Sequence, residues 1–205
     1  MKITIIVEGK TERAFMPYLR TFLLPRFPAG MPKLDTLPYD GRIPTGDKLK
    51  RDVERLLNDR HNPSDHVIAL TDVYTGSRPP DFTDAADAKR KMRQWVGPEP
   101  RFHPHVAQHD FEAWLLPYWA TVQQLAQHNR SAPSGNPEFV NHDNPPAHRI
   151  KAIFEVGQCR NSYVKPRDAG RILKDNDLSV AIAQCAELKA FINTILSVAG
   201  GTPLT

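Results

Sequence analysis

The chain predicts an α/β fold: a mainly parallel sheet flanked by helices, with a helical C-terminal extension. Three observations carry that expectation. Ile3-Thr4-Ile5-Ile6-Val7 and His66-Val67-Ile68-Ala69-Leu70-Thr71 are β-favouring, largely apolar runs without polar alternation, as strands buried on both faces should be. Segments with apolar residues at helical spacing separate these and two further candidate strands, which is the order of helix-crossed parallel pairs. Both strong strands also stop at a carboxylate, Glu8 and Asp72, on the edge where open α/β sheets bind ligands.

Along the chain, the first strand should lie in the middle of the sheet. Thr11 to about Leu24 follows as a helix with Phe15, Leu19, Phe22 and Leu23 on one stripe and Thr11 capping its first turn, while Pro17 either kinks it or delays its start. Leu34-Asp35-Thr36-Leu37 is a weak second strand. Gly46 to Arg60 carries Leu49, Val53, Leu56 and Leu57 opposite a charged, solvated face. After the strand ending at Asp72 comes a Gly/Pro loop over 73–82, then a helix from Asp84 to about Trp95 capped by Thr83, with Ala86, Ala88, Met92 and Trp95 inward. Its Lys89, Arg90, Lys91 and Arg93 either meet phosphates or complement the dipole of their own helix.

Phe102 to Ala107 is the fourth strand, with His103 and His105 on one face and no metal pair implied. A helix starts near His109 and runs towards His128. Residues 129–146 form a polar linker or loop, followed by helices around His148 to Val156, Arg167 to Leu173 and Leu178 to Ser197, the last well buried and including Val180. The tail from Gly200 should fray. This divides the chain into a core of residues 1–128 and a loop with C-terminal helices, 129–205, packed on it as one domain.

Composition bounds the partners. The chain has 205 residues, 27 Lys and Arg against 23 Asp and Glu, and a formal charge of +4, which permits a polyanionic partner without requiring one. Nineteen prolines imply long ordered loops. No apolar run reaches membrane-spanning length and no signal-peptide pattern opens the chain, so a cytoplasmic protein without a membrane association is expected. Cys159 and Cys185 match no zinc spacing and read as buried thiols.

The chemistry centres on the acids. In a parallel sheet Glu8, Asp72 and one of Asp110 or Glu112 converge on one edge. Such hard oxygen donors suit Mg²⁺ or Mn²⁺ rather than zinc, and ions of that kind activate water and stabilise phosphoryl transition states. Asp110 and Glu112, two apart on a helix, should point differently: Asp110 as N-cap, Glu112 towards the ions. Lys10 either contacts phosphate or balances charge. Each acid also has a local alternative, Glu8 as a first-turn helix carboxylate and Asp72 as a turn or cap residue. Gly9-Lys10-Thr11 matches the end of a P-loop, but Thr4 stands where its first glycine is needed, so no phosphate cradle forms. A Gly-x-Ser-x-Gly elbow is absent, which disfavours a serine hydrolase.

Four segments taken together resemble a known family. Glu8-Gly9-Lys10-Thr11-Glu12 after Val7, Asp72-Val73-Tyr74 with Asp81-Phe82, His109-Asp110-Phe111-Glu112-Ala113 and Tyr163-Val164-Lys165-Pro166 stand in the order seen in a prokaryotic family of small proteins of unknown function, similar to the TOPRIM (topoisomerase-primase) domains. The resemblance covers roughly residues 1–195. It implies a TOPRIM-like (Rossmann-like) sheet, a general acid/base at Glu8 and a metal ligand at Asp72. Tyr74 occupies the place of a second aspartate in the TOPRIM Asp-x-Asp pair, leaving Asp81, Asp110 or Glu112 to replace it.

The expected site is therefore Glu8 and Lys10 as catalytic residues, Glu8, Asp72, Glu112 and Asp110 as ligands of Mg²⁺ or Mn²⁺, and Lys10, Tyr74, His109 and Lys165 as substrate contacts. A solvated loop is the simpler reading of Lys165 and Arg167. The expected function is metal-dependent hydrolysis of nucleic-acid phosphodiesters, of a kind that serves prokaryotic defence or mobile elements. The alternatives are a TOPRIM-like module that binds nucleic acid or a partner protein without cleaving, and a nucleotide phosphatase. A topoisomerase would need a strand-cleaving tyrosine in another domain, for which 205 residues leave little room.

Overall fold

The computed structural model describes residues 1–39, 41–74, 80–140, 144–157 and 162–205. Its sheet has four parallel strands in the order β2-β1-β3-β4, with β1 Lys2–Val7, β2 Lys33–Pro38, β3 His66–Asp72 and β4 Phe102–Ala107. Helices α1 Lys10–Leu23, α2 Gly46–Leu57 and α3 Ala85–Val96 form the crossovers. The strands follow from the pattern that predicted them: Ile3 to Val7 and Val67 to Thr71 are buried because both sheet faces are covered. Thr4 is tolerated there because its hydroxyl is hydrogen-bonded to that of Ser64 at 2.7 Å. β2 has a weak apolar pattern because it is an edge strand, with Leu34 its one fully buried residue.

Alternation along the strands builds two cores. Ile3, Ile5, Val7, Ile68 and Leu70 pack against α1 and the C-terminal helices, while Ile6, Val67, Ala69, Phe102 and Val106 pack against α2 and α3. The C-terminal part adds a 3₁₀ segment, Phe111–Tyr118, then α4 Trp119–Ala126, α5 Pro146–Val156, α6 Lys165–Lys174, α7 Leu178–Gln184 and α8 Ala186–Val198. This layout is the parallel Rossmann-like sheet expected of a TOPRIM-like fold.

Several local expectations are corrected. The stretch after His109 is not one helix: it is 3₁₀ up to Tyr118 and α-helical only to Ala126. Pro117 supplies no amide for an α-helical hydrogen bond and crowds the preceding turn. The long last helix is two, bent by 115° at Cys185, whose backbone is extended; Val180 is exposed. The tail does not fray, since the Leu204 amide donates to Asn193 Oδ1 at 2.7 Å and the Gly201 amide to the Leu196 carbonyl at 2.8 Å. Thr11 and Thr83 are not caps. Gly9 begins α1, its amide donating to Glu12 Oε2 at 3.0 Å, and Asp84 caps α3 by accepting from the Asp87 amide at 2.8 Å. On α3, Ala85 and Val96 are buried rather than Ala86, and Pro17 sits inside an unbroken α1.

Cys185 is a buried free thiol, and Cys159 lies outside the described residues. Among the described residues no single helix is long and apolar enough to cross a membrane.

β4 is the other edge of the sheet. The carbonyls of Arg101 and Ala107 accept from the Val67 and Val73 amides, so odd-numbered residues of β4 turn their backbone groups to β3 and even-numbered ones turn theirs outward. Pro104 occupies an outward position, and the outward amide of Phe102 donates back to the Glu99 carbonyl at 3.2 Å.

Candidate functional site

β1 and β3 are adjacent and in register, so the residues that follow them emerge side by side. The Asp72 amide donates to Glu8 Oε1 at 3.0 Å, and the Thr71 hydroxyl donates to the same oxygen. Glu8 is 9% exposed. Burial pushes its carboxyl up to about 7, against the two hydrogen bonds that favour its charged form, and the nearby Glu12 carboxylate adds repulsion. Asp72 is part-exposed. It is raised well above the usual aspartate range by desolvation and then by the charges of Glu8, Asp110, Glu12 and Glu112.

The second group of acids comes from the segment after β4. Asp110 stands ahead of the 3₁₀ segment in extended conformation, and Glu112 is its second residue. Both are buried, Glu112 completely. Asp110 thus takes the expected N-cap position, though without a side-chain cap bond, and Glu112 lies inside the segment. Asp110 Oδ2 accepts from the Ala147 amide at the start of α5 at 3.1 Å, while Oδ1 is sealed without a partner among the described residues. Burial lifts Asp110 to about 8, helped by Glu112 and opposed by Lys165.

Glu112 has both oxygens engaged: the Tyr163 hydroxyl donates to Oε1 at 3.1 Å, and Lys165 Nζ donates to Oε2 at 3.1 Å. Lys165 is thus at the site rather than in a solvated loop. Its half-exposed ammonium is pulled down by burial, but the charges of Glu112, Asp110 and Asp72 hold it above its ordinary value. Arg167 turns away and pairs with buried Asp168.

Other expected residues stand at the margin. Lys10 is exposed at the start of α1 with no ion pair among the described residues. Tyr74 and His109 are half-buried neighbours, the Tyr74 amide donating to the His109 carbonyl at 2.7 Å. Asp81 pairs with Arg42 at 2.8 Å. On α3, Lys89 pairs with Glu187, and Arg90 and Lys91 pair with Asp87, so these cations answer nearby acids.

Sequence reasoning left Thr71, Glu12 and Tyr163 out of the site. The signal for Thr71 was a hydroxyl near the end of an otherwise apolar strand. Glu12 and Tyr163 lay within the quoted motifs, but their contacts with Gly9 and Glu112 required the fold. Among the described residues no three His, Cys, Asp or Glu side chains form a group that could hold a metal ion as they stand.

The fold resembles solved structures. The C-terminal region of the Burkholderia pseudomallei OLD protein aligns with a TM-score of 0.55 at 14% identity, covering 96% of this chain and 98% of that one. The C-terminal region of the Xanthomonas campestris pv. campestris OLD protein aligns with a TM-score of 0.47 at 14% identity, covering 97% and 95%. No curated protein matches the sequence. A family model described as domain of unknown function (DUF4276) matches residues 7–196, nearly the whole chain, and the protein belongs to that family.

Proposed function

We propose that the protein hydrolyses phosphodiester bonds of nucleic acid with the help of Mg²⁺ or Mn²⁺, using the carboxylates at the C-terminal edge of β1 and β3. The observation that carries this reading is the contact of the Asp72 amide with Glu8 Oε1 at 3.0 Å, which joins two strand-end acids in one place with Glu8 held at about 7. A carboxyl group in that range takes and returns a proton at neutral pH, which suits general acid/base work. The TOPRIM-like sheet, shared in outline with the Burkholderia OLD region, supports the same reading.

The donors fit a hard divalent cation in chemistry. They are carboxylate oxygens, their charged forms are disfavoured by burial and then by one another's charge, and Asp110 Oδ1 is buried without a partner among the described residues. Asp72 and Asp110 would hold the ion, short of a three-acid group among the described residues, with Glu112 taken up by Tyr163 and Lys165 and Glu8 left to carry protons. When bound, such an ion neutralises the acids and polarises a phosphoryl oxygen. The chain's own groups do the rest. Glu8 takes the proton of the attacking water or returns one to the leaving oxygen, and Thr71 and the Asp72 amide fix its orientation. Lys165, anchored by Glu112, and exposed Lys10 offer positive charge to the phosphate. Tyr74 and His109 line the same edge.

A second reading is a TOPRIM-like module that binds nucleic acid without cleaving it. Tyr74 in place of a second aspartate and the lack of a three-carboxylate group among the described residues favour it. Plasmid nicking in Mn²⁺ separates the two. Cleavage by the natural protein that falls by about 10²- to 10⁴-fold in Glu8→Gln supports catalysis. Retarded plasmid without nicking in any divalent ion supports the module.

A further inference from the structure

The first residue of β3, His66, and the second of β4, His103, face each other across the sheet, with His66 Nδ1 and His103 Nε2 3.1 Å apart and the ring centroids at 5.2 Å. His103 therefore partners His66, whereas His105 turns to Thr194 on α8, at 2.9 Å. We propose that His66 and His103 form a two-imidazole chelate for a borderline divalent cation of the Zn²⁺, Ni²⁺ or Cu²⁺ class, separate from the carboxylate edge.

Two nitrogens bound to one tetrahedral zinc at about 2.0–2.1 Å lie roughly 3.3 Å from each other, so the observed spacing needs an adjustment of only a few tenths of an ångström. Chelation through these atoms places N–H on His66 Nε2 and His103 Nδ1, neither of which is a sealed atom lacking a partner. Without metal the two nitrogens share one hydrogen bond, so binding an ion moves that N–H to the far nitrogen of its own ring.

The surrounding acids are otherwise occupied. Asp65 accepts from the Lys2 amide at 2.6 Å, and Glu99 grips Arg101 through two hydrogen bonds at 3.1 Å. The site is thus bidentate, with water completing the coordination sphere. Its donors also differ from those at the other end. Imidazole selects the later transition metals, carboxylate selects Mg²⁺ and Mn²⁺, and the length of β3, roughly 20 Å, keeps the two apart.

Zn²⁺ calorimetry on the full chain in excess Mg²⁺ tests this. The expected result is one Zn²⁺ per chain, undisturbed by Mg²⁺, with a dissociation constant weakened at least about 10-fold in His66→Gln and His103→Gln and unchanged in His61→Ala. Cu²⁺ electron paramagnetic resonance on the unaltered protein gives a readout that does not depend on a variant folding, and should show coupling to two nitrogens. Equal Zn²⁺ affinity in the His66 variant, displacement of Zn²⁺ by Mg²⁺, or a copper spectrum without two-nitrogen coupling would overturn the proposal.

Discussion

Raising the pH from about 6.5 to about 8.5 without divalent ions should destabilise the protein by about 2 kcal/mol. Glu8, ordinarily at 4.5, is held at about 7, and Asp110, ordinarily at 3.8, at about 8. Between the ordinary and the raised value the folded chain keeps a proton that the unfolded chain has released. The stability so gained is complete below the ordinary value and is lost as pH rises through the raised one. His103 and His105, lowered by burial to about 4 and about 3, act in the opposite sense, each returning about 0.4 kcal/mol as the unfolded chain sheds its remaining imidazole protons above their ordinary 6.5. The carboxyl groups outweigh them in this window.

Across that window Glu8 contributes about 1 kcal/mol and Asp110 about 2, and since the acids feel one another's charge the two do not simply add. For a chain of this size the melting temperature should fall by about 4 to 8 °C. Calorimetric or circular-dichroism melts in EDTA measure it, and Glu8→Gln should melt above the natural protein at the alkaline end. A melting temperature that is flat or rises between these two pH values would refute the reasoning.

Two mutational outcomes follow from the packing. Lys165→Met leaves fully buried Glu112 without its cation and should cost about 1 to 2 kcal/mol in urea unfolding, the lower end for a broken pair because Lys165 is half-exposed. Glu112→Gln in the same chain should recover part of that loss. Trp114→Ala empties a site 1% exposed, bounded by Phe15, Phe111 and Phe191, and should cost about 3 to 5 kcal/mol.

The sheet was readable because its interior strands carry no polar face and its crossovers carry a single apolar stripe. Ile3 to Val7 and Val67 to Thr71 declare their burial, and the carboxylates that end them sit on adjacent parallel strands. The C-terminal part was less readable because its breaks depend on single residues. Pro117 and Cys185 each interrupt an apolar pattern that continues across them, so periodicity alone reports one helix where the chain makes two segments. The pairing of Glu112 with Tyr163 and Lys165 spans some fifty residues and is fixed by where α6 starts, which no local spacing encodes. His103 followed the two-residue period in sharing a face with His105, yet its partner came from the neighbouring strand, through register.

The proline in the outermost strand limits what the sheet can become. An added chain lying along β4 would look for donors at Phe102, Pro104 and Val106, and would find the first already turned inward on Glu99, the second lacking a hydrogen to give, and the third buried. A strand that meets carbonyls there but no ready donor forms half a ladder at best, so accidental lengthening of the sheet, and the clumping of copies that begins that way, is discouraged along this border.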